Sequence, residues 1–528
     1  MSDSKVEHGE HGNGQDELAA VLPENVSWTS PHLFKLNFCV ISLILFSSTV
    51  GYDGSLVNGL EALDRWLEFM DNPSSTWLGF VNAIYWLGAM VSNLAAGSVT
   101  TRYGAKISIW MGIFFLTVGT IVQTVAPNDK AFIVARFLVG MALGWFTNGA
   151  PVLINEISYP SHRGIASALY MCGYYVGAIV SAWATFATRT YDDSWCWRLP
   201  SLLQLLCPLL AIPGLLLTPA SPRWLISVGR IEEARQALAN LHTQGDAQAP
   251  LITYEVNDIQ ATIAAEKEAQ ESSGYAEMLK TPGNRHRLFI SITLGIYSQW
   301  VGNGVVSYYL AMVLDTIGIT QTRDQLLISA CLQIWNLIFA VVGASLVDKL
   351  GRRILFSASA GIMLTSYIII TGLSGSFART GSGPVGTAVI PFLFIYFAGY
   401  DIALTPMLTA YPCEIWPFRL RSRGLTVTWA AAILGIFFNT FINPIALAAI
   451  GWKYYIVFVA VLLSYAIVTF MWYPETRGYS LEHMAVIFDG DGAAVATTQQ
   501  TMKTVTDAIL NEEEKKDGMG KAEETEHA

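Results

Sequence analysis

Three ionisable residues interrupt stretches that are otherwise apolar: Asp53 in Gly51-Tyr-Asp-Gly54, Arg136 in the run from Ala131, and Asp401 in the run from Val385. A charged side chain at mid-bilayer depth costs about 2.5–3.5 kcal/mol on insertion scales, so such residues are kept for function. Asp53 and Arg136 have opposite signs. A carboxylate beside a guanidinium stays ionised, while one left alone in apolar surroundings takes up a proton, so a pair that parts and re-forms can bind and release protons. A static buried ion pair is the alternative use. A second set is neutral: Gln299, Asn303, Tyr308 and Tyr309 in one apolar segment, and Asn336 in the next. Amide and phenol groups converging on one cavity suit a polyhydroxylated solute. Interhelical hydrogen bonds are the alternative for each of them. Asn439 and Asn443 stand close to Pro444, where a helix needs local polar compensation. Trp183, Trp300 and Trp335 can stack on the apolar face of a solute or belong to the aromatic belts of a membrane protein.

The surroundings of these residues define the class of protein. Of 528 residues, 52% are apolar and 14% are charged, against about a quarter charged in soluble domains. Mean hydropathy is +0.41. Too few charges remain to cover a core of this size in water, so lipid must replace water over much of the surface. The net charge of −10 comes largely from the ends of the chain, with Asp3, Glu7 and Glu10 at one and Glu512, Glu513 and Glu514 at the other. No basic cluster points to nucleic acid. The six cysteines are scattered without metal-ligand spacing and read as small buried thiols. There is no nucleophile–base set and no phosphate loop, so neither an enzyme nor a cofactor is expected. Residues before Leu33 are polar and acidic, unlike a cleaved signal peptide, which leaves the first span as the insertion signal.

Spanning the hydrocarbon takes about 20 mostly apolar residues. Such runs begin near Phe34, Thr76, Lys106, Ala131, Ile165 and Trp197, and again near Leu288, Gln325, Ile354, Val385, Leu425 and Trp452. The pattern predicts an all-α membrane protein of twelve spans. Its parts are an N-terminal tail (1–32), a six-helix half (33–226), a central loop (227–287), a second six-helix half (288–475) and a C-terminal tail (476–528). In the central loop, Ile231, Ala234, Leu238 and Leu241 share one face of a predicted surface helix, and a second helix follows. Arg102, Lys106, Arg163, Lys349, Arg352, Arg353, Arg419, Arg421 and Arg423 fall in one set of loops. Acids such as Glu61, Asp64, Glu68, Asp71, Asp192, Asp193, Asp315 and Asp324 fall in the other. The basic set marks the cytoplasmic side and places both tails there, which puts the Asn25-Val-Ser27 sequon on the wrong side for glycosylation.

The halves repeat one another. Gly97-Ser-Val-Thr-Thr-Arg-Tyr-Gly104 follows the second span, and Gly343-Ala-Ser-Leu-Val-Asp-Lys-Leu-Gly351-Arg352-Arg353 follows the eighth. Glu156 with Arg163-Gly164 closes the fourth span, and Glu414 with Arg423-Gly424 the tenth. Ser221-Pro222-Arg223 ends the first half, and Pro474-Glu-Thr-Arg-Gly478 the second. Duplicated halves around a midplane site are a transporter arrangement. Gly140-x-x-x-Gly144 and Gly173-x-x-x-Gly177 predict close helix contacts.

Taken in order, these signatures resemble those of the sugar porter family of the major facilitator superfamily, over nearly everything from Phe34 to Leu481. The segments Ala150–Gly164 and Gln299–Tyr309 resemble fungal lactose and cellobiose permeases more than hexose carriers. The resemblance implies an alternating-access sugar carrier of the plasma membrane, with a sugar and protons as its small-molecule partners. Gln299 and Asn336 match sugar-contacting positions, and Asp401 falls where the family often has a glutamate near the sugar path. Arg102, Glu156, Arg163, Asp348, Arg352, Glu414, Arg421 and Arg423 match a cytoplasmic gate that bridges the halves in outward-facing carriers. The chain also departs from the pattern. Thr101 replaces an acid, Ala105 a base and Ala220 a glutamate. Ser298 replaces the first of two glutamines, the usual asparagine is shifted to Asn303, and Thr409 stands in place of a tryptophan. A smaller side chain at 409 fits a disaccharide or related sugar. A proton-independent hexose facilitator and a non-transporting sugar sensor share most of these motifs.

Overall fold

The computed structural model of the chain describes residues 30–272, 274–477 and 487–488. The sequon and most of both tails lie outside these residues, as does the side chain of Asp348. The described residues form helices and contain no strand. The first half contains α1 (Phe34–Leu60), α2 (Ser75–Tyr103), α3 (Ala105–Val125), α4 (Asp129–Ile157), α5 (Arg163–Thr188), α6 (Trp195–Leu202) and α7 (Leu206–Leu217). The central loop carries α8 (Ile231–His242) and α9 (Pro250–Ser272). The second half contains α10 (Pro282–Trp300), α11 (Asn303–Asp315), α12 (Thr322–Leu350), α13 (Arg352–Thr380), α14 (Val389–Asp401), α15 (Leu404–Ile415), α16 (Phe418–Ile450) and α17 (Tyr454–Trp472). Ten stretches are long and apolar enough to cross a membrane, and the last of them, Leu420–Trp472, takes in both α16 and α17. The pair α10 and α11 is not among the ten because a break divides it.

Local chemistry sets the helix ends. Ser74, Asn128 and Thr281 accept hydrogen bonds from the backbone N–H groups of Trp77, Ala131 and Asn284, which caps α2, α4 and α10. The internal repeat is visible in the backbone. Gly104 links α2 to α3 at φ +91°, and Gly351 links α12 to α13 at φ +90°, a region that glycine enters without steric penalty. The predicted close contacts are present as well: a Cβ at Gly140 would lie 2.0 Å from the Tyr85 carbonyl oxygen, and one at Gly177 would lie 1.7 Å from that of Ser48. The central loop has its own small core, in which Ala234, Leu238, Ile252 and Val256 pack with Leu225 and Ile226.

Candidate functional site

The site is organised by the break between α10 and α11. Gly302 adopts φ +106°, and a Cβ there would lie 2.4 Å from the Tyr367 hydroxyl oxygen, so only glycine fits. A broken helix leaves carbonyls without intrahelical donors, and at membrane depth each must find another. Three tyrosines supply them. The hydroxyls of Tyr400, Tyr396 and Tyr367 donate to the carbonyls of Ser298 (2.8 Å), Val301 (3.2 Å) and Gly302 (2.8 Å). Asn439 donates from Nδ2 to the Gln299 carbonyl at 2.5 Å. Sequence reasoning missed the three tyrosines; the spacing of Tyr396 and Tyr400, one helical turn apart on α14, was the only local trace of them.

Of the expected substrate-site residues, Gln299 and Asn303 flank this break, and the others lie on α11, α12 and α14. Gln299, the second-last residue of α10, is half-buried and donates from Nε2 to Ser298 Oγ at 3.3 Å. Asn303 opens α11 and donates to the Tyr400 hydroxyl at 3.3 Å, while its Oδ1 meets no protein donor. Asp401 is fully buried. Its Oδ1 accepts from Tyr175 of the first half at 2.5 Å and from Thr405 at 2.9 Å, and its Oδ2 is left without a donor. Asn336 on α12 is 3% exposed, and its Oδ1 also lacks a donor. Tyr308 meets Trp86 of the first half edge to face, with ring centroids 6.4 Å apart. Three buried acceptors on three helices of the second half therefore lack a protein donor. Of the tryptophans weighed for stacking, Trp300 and Trp335 donate to the carbonyls of Gly435 and Phe394, and Trp183 is 39% exposed.

In the first half, Arg136 and Asp53 form an ion pair at 2.5 Å, each side chain 3% exposed. The guanidinium also lies over the Tyr85 ring, 4.6 Å from its centroid. Asp53 Oδ2 and Arg136 Nε have no hydrogen-bond partner.

At one end of the bundle the halves are joined. Asn58 on α1 donates to Ser329 on α12 at 3.3 Å and accepts from the backbone N–H of Leu310 on α11 at 3.0 Å. Asn82 on α2 donates to the Tyr309 hydroxyl at 3.1 Å, and that hydroxyl donates in turn to the Thr440 carbonyl. Helices α2 and α16 touch there: a Cβ at Gly79 would lie 2.5 Å from the Phe441 carbonyl oxygen. Glu61, which sequence reasoning placed among the loop acids, is instead 6% exposed, because α2 and α11 close over the end of α1.

The basic loops occupy the other end. Arg163 pairs with Glu255 on α9 at 3.3 Å, and Arg352 with Glu414 at 2.7 Å, each within one half and its adjoining segment. Glu255 also meets His242 Nδ1 at 2.8 Å, and His242 Nε2 lies 2.9 Å from the Ile157 carbonyl, fixing the central loop to the end of α4. Glu156, Arg421 and Arg423 are half-buried, Arg423 lying 5.7 Å from the Tyr275 ring centroid, while Arg102 is exposed beside Tyr103. Burial pushes the Glu475 carboxyl up. The backbone N–H groups of Arg477, Arg352, Arg353 and Thr476 outweigh that and hold it below the usual carboxylate range.

Residues 29–488 match the model of the family described as "Sugar (and other) transporter". The chain is 28% identical over 468 residues to the MFS-type transporter oryC of Aspergillus oryzae, covering 87% of this chain and 86% of that one. It is 25% identical over 475 residues to a high-affinity glucose transporter of Kluyveromyces lactis, covering 86% and 85%. In fold it is similar to the xylose transporter XylE of E. coli in an inward open conformation, with a TM-score of 0.71 and 22% identity, covering 86% of this chain and 100% of that one. It is also similar to the proton:xylose symporter XylE bound to 6-bromo-6-deoxy-D-glucose, with a TM-score of 0.68 and 22% identity, covering 86% and 99%.

Proposed function

The chain belongs to the sugar (and other) transporter family, and from that premise we propose an alternating-access proton symporter that carries a disaccharide or related sugar across the plasma membrane. In this reading it crosses the bilayer twelve times with both termini cytoplasmic, and the joined end is the extracellular one. It is a transporter and not an enzyme. The observation that supports the sugar reading is a set of buried acceptors without donors in the second half, Asn303 Oδ1 beside the break at Gly302, Asn336 Oδ1 on α12 and Asp401 Oδ2 on α14. A polyol supplies the missing donors, and Gln299 and Tyr308 complete the wall. Asp53 and Arg136 carry the coupling: sugar and proton enter from outside, the halves rock, and the re-formed pair expels the proton inside. The charges Arg102, Glu156, Arg163, Asp348, Arg352, Glu414, Arg421 and Arg423 form the gate at the cytoplasmic end. With the outer end joined, the molecule faces inward, which fits ion pairs such as Arg352–Glu414 lying within one half.

A monosaccharide reading is favoured by the relatives described as glucose and hexose transporters. Competition of glucose, xylose, lactose and cellobiose against one labelled substrate decides between them. The disaccharide reading expects a disaccharide to compete at the lowest concentration; competition by monosaccharides alone overturns it.

A further inference from the structure

The coupling pair leaves one buried acid without a role. Glu61 follows the last residue of α1 at the joined end and is 6% exposed. Its Oε1 accepts from Asn82 Nδ2 at 2.8 Å, and its Oε2 faces no donor. The same amide nitrogen donates to the Tyr309 hydroxyl, which donates to the Thr440 carbonyl. A hydrogen-bonded line therefore runs from Glu61 in the first half to α16 in the second. One turn earlier on α1, Asn58 holds α11 and α12. The charged and titratable groups facing Glu61 are Tyr309 of α11 and, within electrostatic reach, Arg136 of α4. Arg136 is already paired with Asp53. One guanidinium thus stands against two buried carboxyl groups. An uncompensated buried carboxylate is costly, so neutrality here calls for one bound proton.

We propose that Glu61 is a second proton-binding site of this carrier, whose neutral acid form holds the outer end shut and whose ionised form opens it. The inference rests on the alternating-access reading. The proton passes between Glu61 Oε2 and water admitted at the outer end, so external acid closes that end and external alkali opens it.

The test uses the full chain in proteoliposomes with a reporter thiol, Ala311→Cys, on α11, labelled from outside by a membrane-impermeant maleimide; the chain without this substitution serves as the blank. Rates are compared between variants at one pH, so the thiol's own ionisation cancels. At about pH 5 the reporter should label equally fast with Glu61 or Glu61→Gln, and at about pH 8 about tenfold faster with Glu61, while Glu61→Asp keeps the wild-type behaviour. Equal rates for the Gln variant and wild type at both pH values overturn the proposal. Should Glu61→Gln fail to reach the membrane, Asn82→Leu decides. Cutting the link to Tyr309 should make the reporter label about tenfold faster than wild type at about pH 5, and an unchanged rate there overturns the proposal. No sugar is needed for the labelling, so its outcome is separate from that of the sugar reading, which fails if the wild-type chain moves no sugar in the same vesicles.

Discussion

The two halves share a backbone plan and differ in how they treat buried polarity. The first half buries a full ion pair, Asp53 with Arg136, and covers the guanidinium with the Tyr85 ring. The second half meets its deep acid, Asp401, with the hydroxyls of Tyr175 and Thr405, and leaves acceptors unpaired beside a broken helix. A charge pair responds to protons, whereas unpaired neutral acceptors respond to hydroxyl donors. On the proposed reading the difference is a division of labour, with the charge pair of the first half serving the proton and the neutral groups beside the break serving the sugar. Tyr175 reaches from the first half to donate to Asp401 in the second, so a hydrogen bond crosses between the halves there.

The division is broken most sharply at Asp53. Asp53→Asn keeps the shape of the protonated side chain and cannot release a proton. It should abolish uphill accumulation, which at 100 mV draws roughly 2.3 kcal/mol per proton, or about a 50-fold concentration ratio. Exchange between two sugar-loaded sides should persist. Accumulation retained by this variant in energised vesicles would remove the coupling role from Asp53.

A smaller effect is expected in the second half. Asn336→Ala removes an acceptor, leaving a sugar hydroxyl unpaired at about 1–3 kcal/mol, so apparent affinity should fall about tenfold with the accumulation ratio at saturating sugar unchanged. Initial-rate uptake over a range of sugar concentrations reads this, and an unaltered KM at normal expression would take Asn336 out of the site. Smaller again is Tyr400→Phe, which uncaps the Ser298 carbonyl and frees Asn303. A loss of about 1 kcal/mol is expected, seen as a fall of about one degree in the unfolding midpoint of the detergent-solubilised carrier. A Phe variant as stable as wild type would mean that the break does not need its cap.

The least effect is expected at Glu475, outside the spans. Its carboxyl is held below its usual range when folded, so the stabilisation it adds is present above the unfolded value and is lost as pH falls through the folded one. Wild type should therefore lose stability on acidification toward that range, while Glu475→Gln should be weaker at neutral pH and flatter with pH. Parallel pH profiles of the unfolding midpoint for the two would contradict this.

Much of this molecule could be read from its residues because lipid imposes length and composition on every crossing. The runs from Phe34, Thr76, Lys106 and Ala131 lie within two residues of observed helix starts, and the Gly104 and Gly351 motifs share one conformation. The runs from Leu288 and Leu425 begin six and seven residues late, because α10 and α16 start in polar, basic segments that a hydropathy reading excludes. Less legible was whatever depends on partners far along the chain. Asp53 and Arg136 could be singled out by type, yet their contact joins positions 83 residues apart. The capping tyrosines read as ordinary membrane aromatics, since Tyr367 is 65 residues from the carbonyl it serves. Glu61 looked like a loop acid because nothing local reveals that α2 and α11 close over it.

The central claim is uphill sugar transport driven by protons, and reconstitution tests it directly. The full-length chain would be placed in proteoliposomes with an inward proton gradient and supplied in turn with labelled lactose, cellobiose and glucose. The account predicts that a disaccharide rises above its external concentration and that a protonophore abolishes the rise. Entry that stops at equilibrium for every sugar, with or without the protonophore, would contradict it and leave a facilitator.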